Sequence, residues 1–198
     1  MSNAPFEPFQ ASPRLLSASS QGFSPLTLRF VELDDAAELA ESYRRNKEHL
    51  KPWEPSRPAE FFTEAGQRAA LRLKLDELER GSVLPWLIIE DHRVIGTMTV
   101  SGIVRGPFLS GNLGYWVDAE RQGTGIASRA VAEVCRLVSA EHGLHRLQAS
   151  TLLTNVGSQR VLKRNGFTEI GSAPDYLKID GRWQDNLLFQ RIFPESDG

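Results

Sequence analysis

The sequence predicts one α/β (α+β) domain, with a mixed, mostly antiparallel sheet flanked by helices. Three observations predict it. Segments alternating polar and apolar residues are interleaved with segments of helical periodicity. Their order reads βααβββαβαββ, whose mixed connections argue against a purely parallel sheet. A glycine-rich turn, Gln122-Gly123-Thr124-Gly125-Ile126-Ala127, joins a strand directly to a helix.

The elements follow in chain order. Residues 1–25 contain Pro5, Pro8, Pro13 and Pro25 among Ser, Ala, Phe and Gln, and read as an irregular arm packed through Phe6, Phe9 and Phe23. The domain proper spans 26–193, and 194–198 form a polar tail. Leu26, Leu28 and Phe30 alternate on one face of a first strand. Asp34 is placed to cap a helix with inner face Ala36, Leu39, Ala40 and Tyr43. After a proline-rich bend, Pro52 to Pro58, a second helix runs from about Thr63 to Arg80 and stops at Gly81.

Leu84–Glu90 and Val94–Val104 read as a hairpin around Asp91-His92-Arg93, with Pro85 at a strand start or an edge. Leu113–Val117 is the strand before the glycine turn. The helix after it aligns Ala127, Ala130, Val131, Val134 and Val138. Leu147–Leu152 is a strand, and a short helix begins near Asn155 and ends at Asn165-Gly166-Phe167, where Gly166 suits a left-handed cap. Two last strands cover about 167–179 and 183–192.

Composition bounds the chemistry. The 198 residues suit one sizeable core, and a net charge of −2 sets up no global field toward nucleic acid or membrane. One cysteine, Cys135, excludes an internal disulfide or a cysteine-based zinc site and reads as a core thiol. No metal site is expected. His92, His142 and His145 sit in polar or turn contexts and read as surface residues. No run is apolar and long enough to span a bilayer, no secretory signal is evident, and a cytoplasmic protein is expected. The oligomeric state is open, a homodimer included.

The glycine turn is the first site of chemistry. The first amides of a helix have no partner within it, and the helix dipole is positive there. Gly123 and Gly125 let backbone approach a phosphate. A P-loop would need Gly-Lys-Ser/Thr, and a dinucleotide fingerprint a third glycine where Ser128 stands. A plain strand-to-helix turn is the alternative.

Gln122-x-x-Gly125-x-Ala127 resembles the pyrophosphate loop of the GNAT superfamily of N-acetyltransferases. Asn155-x-x-Ser158, followed by Leu162-x-x-Asn165-Gly166-Phe167, resembles the second half of that core. Asn46-x-x-His49-Leu50-x-Pro52-Trp53-x-Pro55 and the 175–185 hairpin are similar to the RimJ/RimL branch, which acetylates N-termini of ribosomal proteins. The resemblance covers about residues 26–193.

It implies acetyl-CoA as cosubstrate, with Gln122, Gly123, Thr124, Gly125, Ile126 and Ala127 on the pyrophosphate, and Tyr115, Trp116 and Val117 along the pantetheine arm. It also implies a cofactor bond from Asn155, which a helix N-cap would explain equally. Ser158 is the expected catalytic donor to the departing sulfur, against a plain first-turn role. His49, Trp53, Glu54 and Tyr176 are expected at the acceptor cleft. Against this stand core packing for Trp53, a solvated charge for Glu54 and hairpin packing for Tyr176.

The amine must be neutral to attack. An α-amino group titrates near pKa ~7.7–8.0 and lysine near ~10.4, so an N-terminus has less need of a strong base. No obvious catalytic His or Glu motif is present. The expected activity is therefore acetyl transfer to a primary amine, most readily a protein N-terminus. A small-molecule amine (polyamine, amino acid or antibiotic) and a non-catalytic coenzyme A-binding module are the alternatives.

Overall fold

The computed structural model describes residues 14–16 and 26–194. Its strands are β1 (Arg14–Leu16), β2 (Leu26–Phe30), β3 (Leu84–Glu90), β4 (Arg93–Val104), β5 (Ser110–Val117), β6 (Arg146–Leu152), β7 (Thr168–Ile179) and β8 (Arg182–Ile192). The helices are α1 (Ala36–Arg45), α2 (Lys47–Leu50), α3 (Glu64–Glu79), α4 (Ile126–Ala140) and α5 (Val156–Arg164). The strands form one sheet in the order β1-β2-β3-β4-β5-β6-β8-β7. Among the described strands only the β5–β6 pair is parallel, so the sheet is mixed and mostly antiparallel.

Both faces of the sheet are covered. On one, Leu26, Leu28, Trp86, Ile88, Met98 and Leu147 pack with Ile126, Val131, Val134 and Val138 of α4. On the other, Leu87, Val94 and Trp116 pack with Leu39 and Tyr43 of α1 and Leu71 of α3. Strand β3 alternates its side chains between these two cores, which is why it reads as a continuous apolar run.

Local chemistry sets the boundaries. Thr63 caps α3 by accepting from the Gly66 N–H at 3.1 Å. Asp91 and His92, at φ 48° and 64°, make the two-residue turn between β3 and β4, and Asp180-Gly181 (φ 45° and 78°) makes the one between β7 and β8. Two positive φ values in succession match the right-handed twist of the flanking strands. Pro85 lies in an interior strand, at its second residue, where its carbonyl accepts from the Val31 N–H at 3.1 Å.

Three expectations are corrected. The arm is not irregular throughout: residues 14–16 pair with β2 as an edge strand, while Phe6, Phe9, Phe23 and residues 195–198 of the tail lie outside the described residues. Asp34 is exposed and caps nothing. A turn of 3-10 helix, Leu33–Asp35, precedes α1, and it is the Asp35 carboxylate that takes the Glu32 N–H at 2.6 Å and ion-pairs with Arg29. His142 is buried, edge-on to Phe30 and Trp86 at 6.5 Å from each, and burial pushes its pKa down to about 4. His145 is half-buried; His92 is exposed as expected. Cys135 is a buried thiol whose pKa burial raises to about 11.

Candidate active site

The parallel pair β5–β6 is short. Ser110, Gly111 and Asn112 face Arg146, Leu147 and Gln148, and there the pairing ends. Beyond it β6 continues against β8, while β5 continues against β4. The β6-facing backbone edge of Tyr115, Trp116 and Val117 therefore borders an opening in the sheet. Peptide groups along such an edge need partners, and an extended amide chain between the strands would supply them.

At the end of that opening lies the glycine turn. Gly123 and Gly125 have φ of 73° and 81°, and a Cβ on either would meet nothing within 4 Å. Glycine is required here by conformation and by open space above it, not by a crowded neighbour. Gly125 starts α4, so the first amides of a 15-residue helix point to that space. The Thr124 hydroxyl turns away, donating to the Arg121 carbonyl at 2.6 Å, and shapes the loop.

Ser158 stands in the first turn of α5. Asn155 caps this helix, its Oδ1 accepting from the Ser158 N–H at 3.0 Å. The Asn155 amide nitrogen is not engaged by that bond. The Ser158 Oγ lies 2.8 Å from the Tyr115 hydroxyl, across the opening from β5. Burial pushes the Tyr115 phenol up to about 12, so it stays protonated at any physiological pH.

A second set of contacts ties α1 and α2 to the strand and turn that precede α4. Trp116 Nε1 donates to Tyr43 Oη at 3.2 Å, Arg45 Nε to Asp118 at 3.0 Å, and the Ala119 N–H to Asn46 Oδ1 at 2.9 Å. His49 Nε2 meets the Gln122 amide nitrogen at 2.9 Å. Each pair is separated by 73 residues, so the two segments run in a constant register. Asn46 and Asp118 are buried. Burial alone would raise the Asp118 carboxyl, but the Glu120 N–H and Arg45 hold it below its usual range.

On the α1 side, Tyr43, Lys47, Lys51, Glu54, Arg57, Phe61, Phe62 and Asp180 line a cavity of about 150 Å³. The Asp180 N–H reaches the Glu54 carbonyl at 3.4 Å and brings the β7–β8 turn over it. Burial raises the Glu54 carboxyl, opposed by Arg57 at 3.9 Å and by Lys74. Glu54 is thus not the fully solvated charge that its loop position suggests. Trp53 is half-buried beside it but does not line this cavity; Tyr176 is 43% exposed on β7, at a break in the β7–β8 register, and does not line it either. Among the described residues no cluster of His, Cys, Asp and Glu could hold a metal ion.

Comparison with known proteins identifies the family. The acetyltransferase (GNAT) domain family matches residues 25–168. The chain belongs to the GNAT acetyltransferases. It is 33% identical over 172 residues to the ribosomal protein uS5-alanine N-acetyltransferase of Escherichia coli (strain K12), covering 86% of this chain and 89% of that one. Among solved structures, the ribosomal-protein-S5-alanine acetyltransferase of Vibrio fischeri is 34% identical with a TM-score of 0.84, over 90% of this chain and 98% of that one. Mycobacterium smegmatis RimJ in complex with CoA-disulfide is 29% identical with a TM-score of 0.85, over 97% and 91%. The protein is a GNAT N-acetyltransferase of RimJ/RimL type. None of its described helices is long and apolar enough to cross a membrane.

Proposed function

We propose that this GNAT enzyme transfers acetyl from acetyl-CoA to the α-amino group of a protein, with a ribosomal protein, and hence the cytoplasm, as the setting. The observation that carries it is the small, half-buried acceptor-side cavity in a chain similar to a uS5-alanine acetyltransferase along nearly its whole length. About 150 Å³ is room for one side chain of an acceptor (an apolar cavity of that size takes a benzene ring). Aromatic walls from Phe61 and Phe62 suit a residue near the acceptor's start. The carboxylates of Glu54 and Asp180 offer an incoming amine partners, beside the cations Lys47, Lys51 and Arg57 of the same lining.

The donor side follows from the chain's own groups. Amides of 122–127 take the pyrophosphate, the open edge of Tyr115–Val117 takes the pantetheine amides, and Asn155 can donate a side-chain bond. The amine nitrogen attacks the thioester carbonyl, the C–N bond forms and the C–S bond breaks. Ser158 donates to the sulfur as charge gathers there, an interaction made mainly in the transition state. The proton shed by nitrogen is the one the coenzyme A thiol finally carries, by way of solvent.

Two peptides test the acceptor: one with a free N-terminal alanine and no lysine, one with a blocked N-terminus and one lysine. Thiol release is expected with the first, with kcat/KM rising with pH and levelling near about 8, where an α-amine is mostly neutral. Preference for the lysine peptide overturns the N-terminal reading. Indifference to both, with turnover on a polyamine or amino acid, makes the enzyme a small-amine acetyltransferase.

A further inference from the structure

Across the opening between β5 and β6, at the level of the expected chemistry, Tyr115 Oη lies 2.8 Å from Ser158 Oγ. A serine hydroxyl has one proton and can donate in only one direction at a time. If it donated to Tyr115, it would have nothing to offer the sulfur. The phenol's alternative acceptor, the Ser158 carbonyl, lies at 3.4 Å and is the weaker geometry. A phenol is a much stronger acid than an alkyl alcohol, so in a phenol–alcohol pair the phenol is the better donor and the alcohol the better acceptor. The pair is fixed from both sides: Tyr115 packs against the α4-side core, and Ser158 is held by the Asn155 cap.

We propose that Tyr115 is a positioning residue for Ser158: its phenol donates to the serine oxygen and leaves the serine's own proton free for the departing sulfur. This rests on the reading of Ser158 as the group that meets the thiolate. No proton leaves Tyr115. The phenol's bond polarises the serine O–H, so the donor strengthens as negative charge arrives on sulfur, in the cooperative manner of linked hydrogen bonds. The phenol's raised pKa agrees with a group that remains a donor throughout.

The test is a double-mutant cycle of Tyr115→Phe and Ser158→Ala, with acetyl-CoA and a peptide bearing a free N-terminal alanine. Tyr115→Phe deletes one oxygen and keeps the ring, and thermal unfolding monitors the fold. Tyr115→Phe is expected to lower kcat about tenfold, the size of one hydrogen bond. It should leave coenzyme A affinity by calorimetry within about twofold, and cost less than about twofold when added to Ser158→Ala. An equal loss in both backgrounds means that Tyr115 does not act through Ser158 and overturns the proposal, as does full activity of Tyr115→Phe alone. If Ser158→Ala is itself silent, the assignment of Ser158 fails, and the proposal with it. A large Ser158→Ala loss with an additive Tyr115→Phe loss sinks the positioning role only.

Discussion

The two sides of the reaction centre are built by different means. In the proposed assignment the donor side is made mainly of backbone, an unpaired strand edge, two glycines at positive φ and the first turn of a helix within the stretch from Tyr115 to Ala127, with the side chains of Asn155 and Ser158 added from α5. The proposed acceptor side is made of side chains from α1, α2, the bend after it, and a hairpin turn more than a hundred residues away. A ligand shared by many enzymes can be gripped by peptide groups, which every sequence supplies. An acceptor that must be told from its rivals needs side chains, which each sequence supplies differently. Local motifs therefore report the first side, and only the folded chain assembles the second.

The largest expected effect tests the backbone side. Gly125→Val puts a β-branched residue at φ 81° and fills open space where a phosphate would sit. Coenzyme A affinity measured by calorimetry should fall by about a hundredfold, on the order of 2–3 kcal/mol. Unchanged affinity in a folded variant would break the comparison, because the donor side would not then be this loop.

Next comes the link between the sides. Asn46→Ala removes a buried amide whose Oδ1 takes the Ala119 N–H and whose Nδ2 donates to the Ser42 carbonyl, and should cost about 1–2 kcal/mol in urea unfolding. The loss of acceptor kcat/KM should be at least as marked as that of coenzyme A binding.

Acid stability provides a control belonging to neither side. His142 is neutral in the fold, with its pKa pushed down by burial and by Arg105 to about 4 from 6.5. The unfolded chain then binds the extra proton first, so this contribution is complete above about pH 6.5 and is lost as pH falls toward 4. Between pH 7 and 4.5 it amounts to about 2 kcal/mol. A folded His142→Gln variant should lose that much less across the interval in urea titrations, which separates acid unfolding from protonation of the amine.

The smallest effect sharpens the acceptor side. Glu54→Gln keeps the shape of the cavity wall and removes one charge. The peptide KM should rise about threefold, within the range of a half-exposed ion pair, with coenzyme A affinity unchanged. A change confined to coenzyme A binding would move Glu54 to the other side.

The same division explains what the sequence disclosed. The order of elements along the chain, both hairpins and α4 follow from periodicity and turn residues that lie close together in the chain. Strand β1 escaped because three residues between prolines and serines carry too little pattern. His142 was misplaced because its neighbours Glu141 and Gly143 are polar or turn-like, whereas its ring is received by Phe30 and Trp86 from distant strands. Asp35 took the capping role from Asp34 because a short 3-10 turn shifted the helix start. In the site, the glycine turn and the Asn155 cap were legible. The pairing of Tyr115 with Ser158, 43 residues apart, and the part played by Asp180 were not, since no local pattern encodes them.

The constant separation of 73 residues between Tyr43, Arg45, Asn46, His49 and their partners has a consequence for length. Single substitutions remove these contacts one at a time. Inserting or deleting one residue within 43–49 or within 116–122 would put every contact beyond it out of step at once. Loops exchanged with a relative in order to retarget the enzyme should therefore be taken as a matched pair of segments, or kept at native length, because the two behave as the halves of one clasp.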